Sequence, residues 1–149
     1  MMRKFISGVL VVVASAALAA QTSDVRYNRT AEKTIVGTVK ALVSYPAPDG
    51  SVGVHIDLKT ADGMVSVHVS PAMFLGQQNF FFYADDQVEI IGAPTASDGH
   101  TTIWAKAIMK GSAMLVLRDA NGIPKWTPNT DGTDGCGVAH PPLPRSTEF

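Results

Sequence analysis

The sequence predicts an all-β domain, a small closed Greek-key barrel with one short helix between its third and fourth strands. Three observations predict this fold. Short runs rich in β-branched residues follow one another between residues 34 and 126, Gly, Pro, Asp and Asn separate these runs, and only one interval lacks the alternation of a strand. Such spacing is typical of small barrels and sandwiches rather than of helical proteins.

The first three strands are predicted from residue 35 to residue 70. Ile35–Val43 forms the first strand, and Gly37 within it permits the bend that a small barrel needs. Val52–Lys59 and Met64–Ser70 alternate apolar and polar side chains, and Asp62-Gly63 between them is a hairpin signal. We therefore expect these two runs to form a β-hairpin.

A helix and further strands follow the hairpin. Pro71–Phe80 does not alternate, and Ser70 resembles a helix N-cap followed by a proline at the first helical position. The next strands are predicted at Asp86–Gly92, Thr101–Ile108 and Met114–Arg118. Three strands, one helix and then more strands is the plan of an OB-fold. The strand pattern alone leaves an eight-stranded barrel or a sandwich open, but the helix position favours the OB plan.

Residues 1–20 predict a cleavable secretory signal peptide. Arg3 and Lys4 precede an uncharged apolar run that ends in small residues, and cleavage after either Ala19 or Ala20 fits. The run of about 16 residues is shorter than the roughly 20 that span a bilayer. Export predicts a periplasmic or extracellular protein with no stable membrane anchor after cleavage. The predicted organisation is then an N-terminal extension at 21–33, an OB-like barrel domain at 34–126 and a disordered Pro- and Gly-rich tail at 127–149.

Charge and motif content argue against several classes of function. Loss of Arg3 and Lys4 lowers the formal net charge from −1 to about −3, which disfavours nucleic-acid binding. The single cysteine, Cys136, can form no internal disulfide, so a free thiol and an intermolecular disulfide both remain open. The sequence has no Cys-x-x-Cys, haem-attachment, Gly-x-Ser-x-Gly or phosphate-loop motif. We therefore expect no enzymatic activity and no cofactor.

The predicted hairpin carries a candidate metal site. His55, Asp57 and His68 alternate with core valines and isoleucines, so all three are expected on the solvent-facing side of the hairpin. His68 lies across from His55 if the turn is Ala61-Asp62, and across from Asp57 if it is Asp62-Gly63. Imidazole and carboxylate suit zinc, copper or nickel. An ordinary surface pair without metal satisfies the same geometry, so both interpretations stay open.

Three stretches resemble a known group of proteins; they are Val67–Leu75, Asp86–Gly92 and Leu115–Trp126. They are similar to small secreted bacterial OB-fold-like proteins and to the C-terminal domain of the magnetosome proteins MamS and MamX. The most specific part is Leu-Arg-Asp-x-x-Gly-x-Pro-x-Trp, from Leu117 to Trp126. The resemblance implies a small periplasmic or extracellular barrel and transfers no catalytic residues. Redox-associated relatives carry haem-attachment motifs, which this sequence lacks.

The aromatic residues and the closing pattern are expected to be mainly structural. Phe80–Tyr83 and Trp104 should mostly fill the barrel, with a minority left as a partner surface. In the closing pattern, Trp126 should cover the barrel edge and Arg118 should pair with a carboxylate, either Asp119 or Glu89.

The sequence thus predicts a non-enzymatic secreted or periplasmic binding or accessory module. Its partner would be an unknown protein or small ligand, held on the outer face of the barrel. The alternative is a periplasmic metal-binding protein that uses His55, Asp57 and His68.

Overall fold

The computed structural model describes residues 26–46, 50–97 and 100–126. The predicted signal peptide at 1–20 and the predicted tail at 127–149, with Cys136, lie outside the described residues. Within the described ranges, no helix is long and apolar enough to cross a membrane.

Six strands and one short helix make up the described part of the chain. The strands are β1 (Lys33–Pro46), β2 (Val52–Thr60), β3 (Gly63–Pro71), β4 (Gln87–Ser97), β5 (His100–Lys110) and β6 (Ala113–Val116), the helix α1 (Ala72–Gln77) follows β3, and a 3-10 turn (Arg29–Ala31) precedes β1. This order confirms the predicted all-β class and the helix between the third and fourth strands. β6 ends two residues earlier than predicted, because the N–H groups of Leu117 and Arg118 both donate to the carbonyl of Lys106 and interrupt the ladder.

The strands β1 to β5 close into a barrel. Their antiparallel order is β3-β2-β1-β4-β5, and a short parallel pairing of β3 with β5 closes the ring. In that pairing Val67 lies opposite Ile103 and His68 lies opposite Trp104. β6 continues the sheet as an antiparallel neighbour of β5.

β1 is long and bent because it pairs with both β4 and β2. Its ladder with β2 is interrupted by a bulge between Val39 and Ala41. A Cβ atom at Gly37 would lie 2.6 Å from the carbonyl oxygen of Lys59 and 2.7 Å from the side chain of Leu58. Only glycine allows β2 to approach β1 so closely. The sequence predicted a bend at Gly37 and did not predict this close approach.

The core lies inside the barrel, and α1 closes one end of it. Phe74 and Leu75 of the helix are buried against the inward-pointing valines, leucines and isoleucines of the strands. The predicted N-cap was wrong by one residue: Pro71 occupies the cap position without a side-chain hydrogen bond, and Ser70 is buried with its hydroxyl donating to the Pro71 carbonyl at 3.2 Å. The helix depends on burial rather than capping, since each large apolar side chain contributes about 1.5–3 kcal/mol.

Candidate functional site

The β2–β3 hairpin brings His55 and His68 together. Its turn is Ala61-Asp62, and the resulting register places His55 directly opposite His68. The Nδ1 atom of His68 lies 2.7 Å from the Nε2 atom of His55, a hydrogen-bond distance. This hydrogen bond needs one nitrogen with a proton and one without, so the two facing atoms cannot both be protonated.

The two imidazoles are buried, which corrects the expectation of a solvent-exposed pair. His55 is 4% exposed and His68 is 0% exposed. The ring of Tyr45 packs edge-on against His55 with centroids 4.7 Å apart, and the ring of Trp104 lies 5.6 Å from that of His68. These two rings come from β1 and β5, the strands on either side of the hairpin. Alternation along the hairpin therefore could not predict them as neighbours of the histidines.

Asp57 shares this side of the sheet but does not complete a site. It lies opposite Ser66 in β3 and is half-buried. Burial raises the pKa of Asp57. Burial, with a smaller contribution from the Asp57 charge, also raises the pKa of Tyr45. Across the described residues, no group of three or more His, Cys, Asp or Glu side chains is arranged to hold a metal ion.

In this arrangement the facing histidine nitrogens are too close together to share a metal ion. Zinc lies about 2.0–2.1 Å from each imidazole nitrogen, so a tetrahedral site holds two such nitrogens about 3.3 Å apart. The observed 2.7 Å between Nδ1 of His68 and Nε2 of His55 is shorter. A metal ion would have to break the hydrogen bond and separate the two rings.

Arg118 is buried among three aromatic rings. Its guanidinium carbon lies 5.0 Å from the ring centroid of Trp104, 5.1 Å from that of Tyr27 and 5.4 Å from that of Trp126. Its Nη1 donates to the carbonyl oxygen of Gly122 at 3.1 Å. Each ring contributes a cation–π attraction of about 0.5–2 kcal/mol. Arg118 thereby joins the closing segment, Leu117–Trp126, to Trp104 of β5 and to Tyr27, which precedes β1.

The ion pair that the sequence predicted for Arg118 is not formed with either Asp119 or Glu89. Within the described residues, no ion pair joins the guanidinium to Asp119 or Glu89. The Asp119 carboxylate instead accepts hydrogen bonds from the backbone N–H groups of Asn121 and Ile123, at 2.8 Å and 3.0 Å. It thus stabilises the turn in which it lies.

Two of the three rings around Arg118, those of Trp126 and Tyr27, make further contacts of their own. Trp126 packs against Phe74 of α1 with ring centroids 5.6 Å apart, which confirms its predicted position over the barrel edge. Tyr27 is buried, and a Cβ atom at Gly122 would lie 2.6 Å from its ring. Burial also raises the pKa of Tyr27. Sequence reasoning missed Tyr27 because it stands alone in a segment without strand alternation.

These geometries can be compared with known proteins. A sequence profile of the MamS/MamX magnetosome protein family matches residues 31–115. The chain belongs to this family. The family match takes in the five barrel strands, α1 and the histidine pair, and it ends before Arg118 and Trp126. None of the curated proteins matches the chain.

In this MamS/MamX family member, the aromatic segment before β4 is divided between core and surface. Phe80 and Phe82 are buried and contact each other, whereas Phe81 and Tyr83 are exposed. The segment is held by Asp86, whose carboxylate accepts from the backbone N–H of Tyr83 at 2.8 Å and from Lys110 at 3.0 Å. Core filling, the main expectation for these rings, applies to only two of the four.

The outer side of β1, β4, β5 and β6 carries an apolar face that the sequence did not reveal. Two cross-strand rows form it, Val36–Glu89–Met109–Met114 and Thr34–Ile91–Ala107–Val116. Val36 is 64% exposed, Met114 58% and Val116 37%. Glu89 lies in the middle of the first row, and no described ion pair or side-chain hydrogen bond includes it. These strands have apolar residues on both of their sides, which is a sequence signal for two apolar faces. A continuous apolar run does not show which of the two sides meets solvent.

Proposed function

We propose that this protein is a non-enzymatic accessory module that binds a protein partner through the apolar face. Membership in the MamS/MamX family supports an accessory role. The observation that carries the proposal is the pair of cross-strand rows, in which the exposed side chains of Val36 on β1 and of Met114 and Val116 on β6 lie on either side of the half-buried Ile91 and Met109. Contiguous apolar surface of this kind is typical of interaction sites, whereas scattered single residues are not.

Glu89 indicates the chemistry of the partner surface. Its carboxylate is half-buried among Val36, Met109 and Ile91, without a cation from the described part of its own chain. Covering this face with a purely apolar surface would desolvate an unpaired charge, which is costly. The expected partner therefore presents an apolar surface with one Lys or Arg opposite Glu89. The predicted export would bring the two proteins together outside the cytoplasm.

The test is capture of periplasmic proteins by matched surface variants. Val36→Lys places a charge in the apolar face, whereas Val52→Lys makes the same substitution at an exposed valine on β2, outside both rows. The proposal expects the tagged wild type and Val52→Lys to capture the same protein and Val36→Lys to lose it. Glu89→Gln should weaken the capture. Equal capture by all variants would contradict binding through this face.

The buried histidine pair favours a second candidate, a periplasmic metal-binding protein that uses His55, His68 and Asp57. The observation in its favour is that two imidazoles meet on the side of the sheet that also carries Asp57. Binding would require the two rings to separate. Titration with copper and zinc tests it: this candidate expects a dissociation constant below about 10 µM that is lost in the His55→Ala/His68→Ala double variant. Weaker binding, or binding unchanged in the double variant, would remove it.

A further inference from the structure

The described chain ends beside the apolar face. After a tight turn, the closing segment runs back antiparallel to the end of β6, and the N–H of Lys125 donates to the carbonyl of Leu117 at 2.9 Å. An isolated bridge between Arg118 and Pro124 fixes the same course. This course leads towards Val116, an exposed residue of the apolar face. The chain therefore reaches the β6 margin of the face at the end of its described part.

The chain beyond Trp126 is long enough to cover this face. The four strands of the face lie about 4.8 Å apart, so β1 is about 14 Å from β6. About 20 residues separate Trp126 from Arg145, and the flexible tail that the sequence predicts there would span about 25 Å on average over that length. Each of the exposed apolar side chains of the face is thus within reach of the tail.

The last part of the tail has the chemistry that the face requires. Its large aliphatic and aromatic side chains are Val138, Leu143 and Phe149, and prolines stand at positions 141, 142 and 144. Neighbouring prolines favour an extended polyproline conformation, which lowers the entropy lost on binding. Arg145 is the only Lys or Arg between residues 127 and 149. An apolar stretch with one cation is also the surface expected of the partner opposite Glu89.

Glu89 gives the tail a specific charge to meet. Its side chain is half-buried between Val36 and Met109 in the first cross-strand row. The lysines of β1 and β5 that form ion pairs in the described ranges have other partners, Lys40 with Asp85, Lys106 with Glu32 and Lys110 with Asp86. A guanidinium that meets a carboxylate forms charge-assisted hydrogen bonds, which are stronger than neutral ones. Arg145 can therefore supply the cation that the described residues do not bring to Glu89.

We propose that residues 138–149 fold back over the apolar face of the same chain, with Arg145 paired to Glu89 and Leu143 packed against the apolar side chains of β5 and β6. The tail then occupies the place of the expected protein partner, which must displace it. This regulation rests on the proposed function, because it acts on the same face. The contact itself requires no partner and can be measured in the purified protein.

The tether makes a weak contact sufficient. A tethered segment binds as if it were present at an effective concentration of about 1 mM, so even a contact with a Kd of about 1 mM is occupied in about half of the molecules. The apparent affinity of an external partner falls with the fraction of uncovered molecules, which is about twofold at half occupancy. The tail therefore sets a threshold for partner binding and does not block it.

Paramagnetic broadening of NMR signals in the full exported protein tests the contact. Cys136→Ser removes the native thiol, and Ser146→Cys then carries a nitroxide label next to Arg145. The label should broaden the backbone N–H signal of Met109, in the middle of the face, and leave that of Val52 sharp. Val52 is the reference because it pairs with the far end of β1, away from the part of β1 that belongs to the face.

Three variants of the labelled chain separate the ion pair from nonspecific collapse of the tail. Arg145→Glu opposes like charges at Glu89. Glu89→Arg combined with Arg145→Glu restores the pair with its charges exchanged. Glu148→Gln is the matched control, because it alters a charge of the tail that the proposed contact does not use. Thermal melts show that each variant is folded.

The native tail and Glu148→Gln are expected to broaden the Met109 signal at least about twofold more than Arg145→Glu does, and the exchange variant should recover this broadening. Equal broadening with Arg145→Glu, or no recovery in the exchange variant, would overturn the proposal. Isotope-labelled chains mixed with spin-labelled chains test the alternative occupant. Broadening that occurs only between chains would place the tail on a second copy and overturn the proposal as well.

Capture of the periplasmic partner distinguishes the tail contact from the proposed function. Arg145→Glu should capture about twofold more partner than the wild type when the partner is below its Kd, since more of the face is uncovered. Equal capture would overturn the regulatory role of the tail. Broadening as expected, with no protein captured by any variant, would support the tail contact and contradict the proposed function alone.

Discussion

The buried hydrogen bond between His55 and His68 predicts strong coupling between the two side chains. Leucine has nearly the volume of histidine, so His68→Leu fills the site but leaves the Nε2 atom of His55 without its partner. An unsatisfied buried polar group costs about 1–3 kcal/mol. The same reasoning applies to His55→Leu. Replacing both histidines removes both nitrogens of this hydrogen bond and leaves two apolar side chains in contact, an exchange that can be nearly neutral.

A double-mutant cycle measures this coupling. Urea unfolding of the wild type, the two single variants and the double variant is performed at pH 8, where free imidazoles are neutral. We expect each single variant to lower the free energy of unfolding by about 2 kcal/mol. The loss in the double variant should be smaller than the sum of the two single losses by at least about 1 kcal/mol. For a domain of about 100 residues, each 1 kcal/mol corresponds to a melting shift of about 4–8 °C. Effects that add to within about 0.5 kcal/mol would refute the hydrogen bond as a stabilising contact.

Three further predictions concern the barrel around this site. Trp126→Ala should lower the free energy of unfolding by about 3 kcal/mol, measured by heat or urea, because the Trp126 ring packs on Phe74 and on the guanidinium of Arg118. A loss below about 1 kcal/mol would contradict that packing. The pKa of Asp86 is held below its usual value, chiefly by the hydrogen bond from the Tyr83 N–H and then by Lys110. The ionised carboxylate therefore stabilises the folded protein above about pH 4, and this stabilisation is lost as pH falls through the folded-state pKa. The stability advantage of wild type over Asp86→Asn should therefore be constant near neutral pH and disappear in acid, and an advantage unchanged in acid would contradict this assignment. Gly37→Ala should cost at least about 1–3 kcal/mol by the same assays, since its Cβ would overlap the neighbouring strand, and a neutral effect would show that β2 can move away.

The fold could be predicted because its signals are local. Alternation along the β2–β3 hairpin, the turn residues and the one interval without alternation each identify an element without reference to distant residues. β4 and β5 were predicted too short, since Thr95 and Thr102 extend their ladder through residues that resemble a loop in sequence. The helix was predicted too long for the opposite reason: the residues after Gln77 are not helical, although they lack strand alternation.

The surroundings of the candidate site could not be predicted in the same way. The sequence placed His55 and His68 on the correct side of their hairpin, but their burial depends on Tyr45 and Trp104 from strands far away in the chain. The aromatic surroundings of Arg118 likewise join residues from both ends of the described chain. These contacts follow from barrel closure, which no short stretch of sequence encodes.

The most direct test of partner binding through the apolar face is site-specific photocrosslinking in the native host. A photoreactive phenylalanine analogue replaces Val36 in one strain and Val52 in another, both at exposed positions on strands. Partner binding through the apolar face predicts a crosslinked product of defined mass from position 36 and none from position 52. The same product from both positions, or a product from position 52 alone, would contradict it.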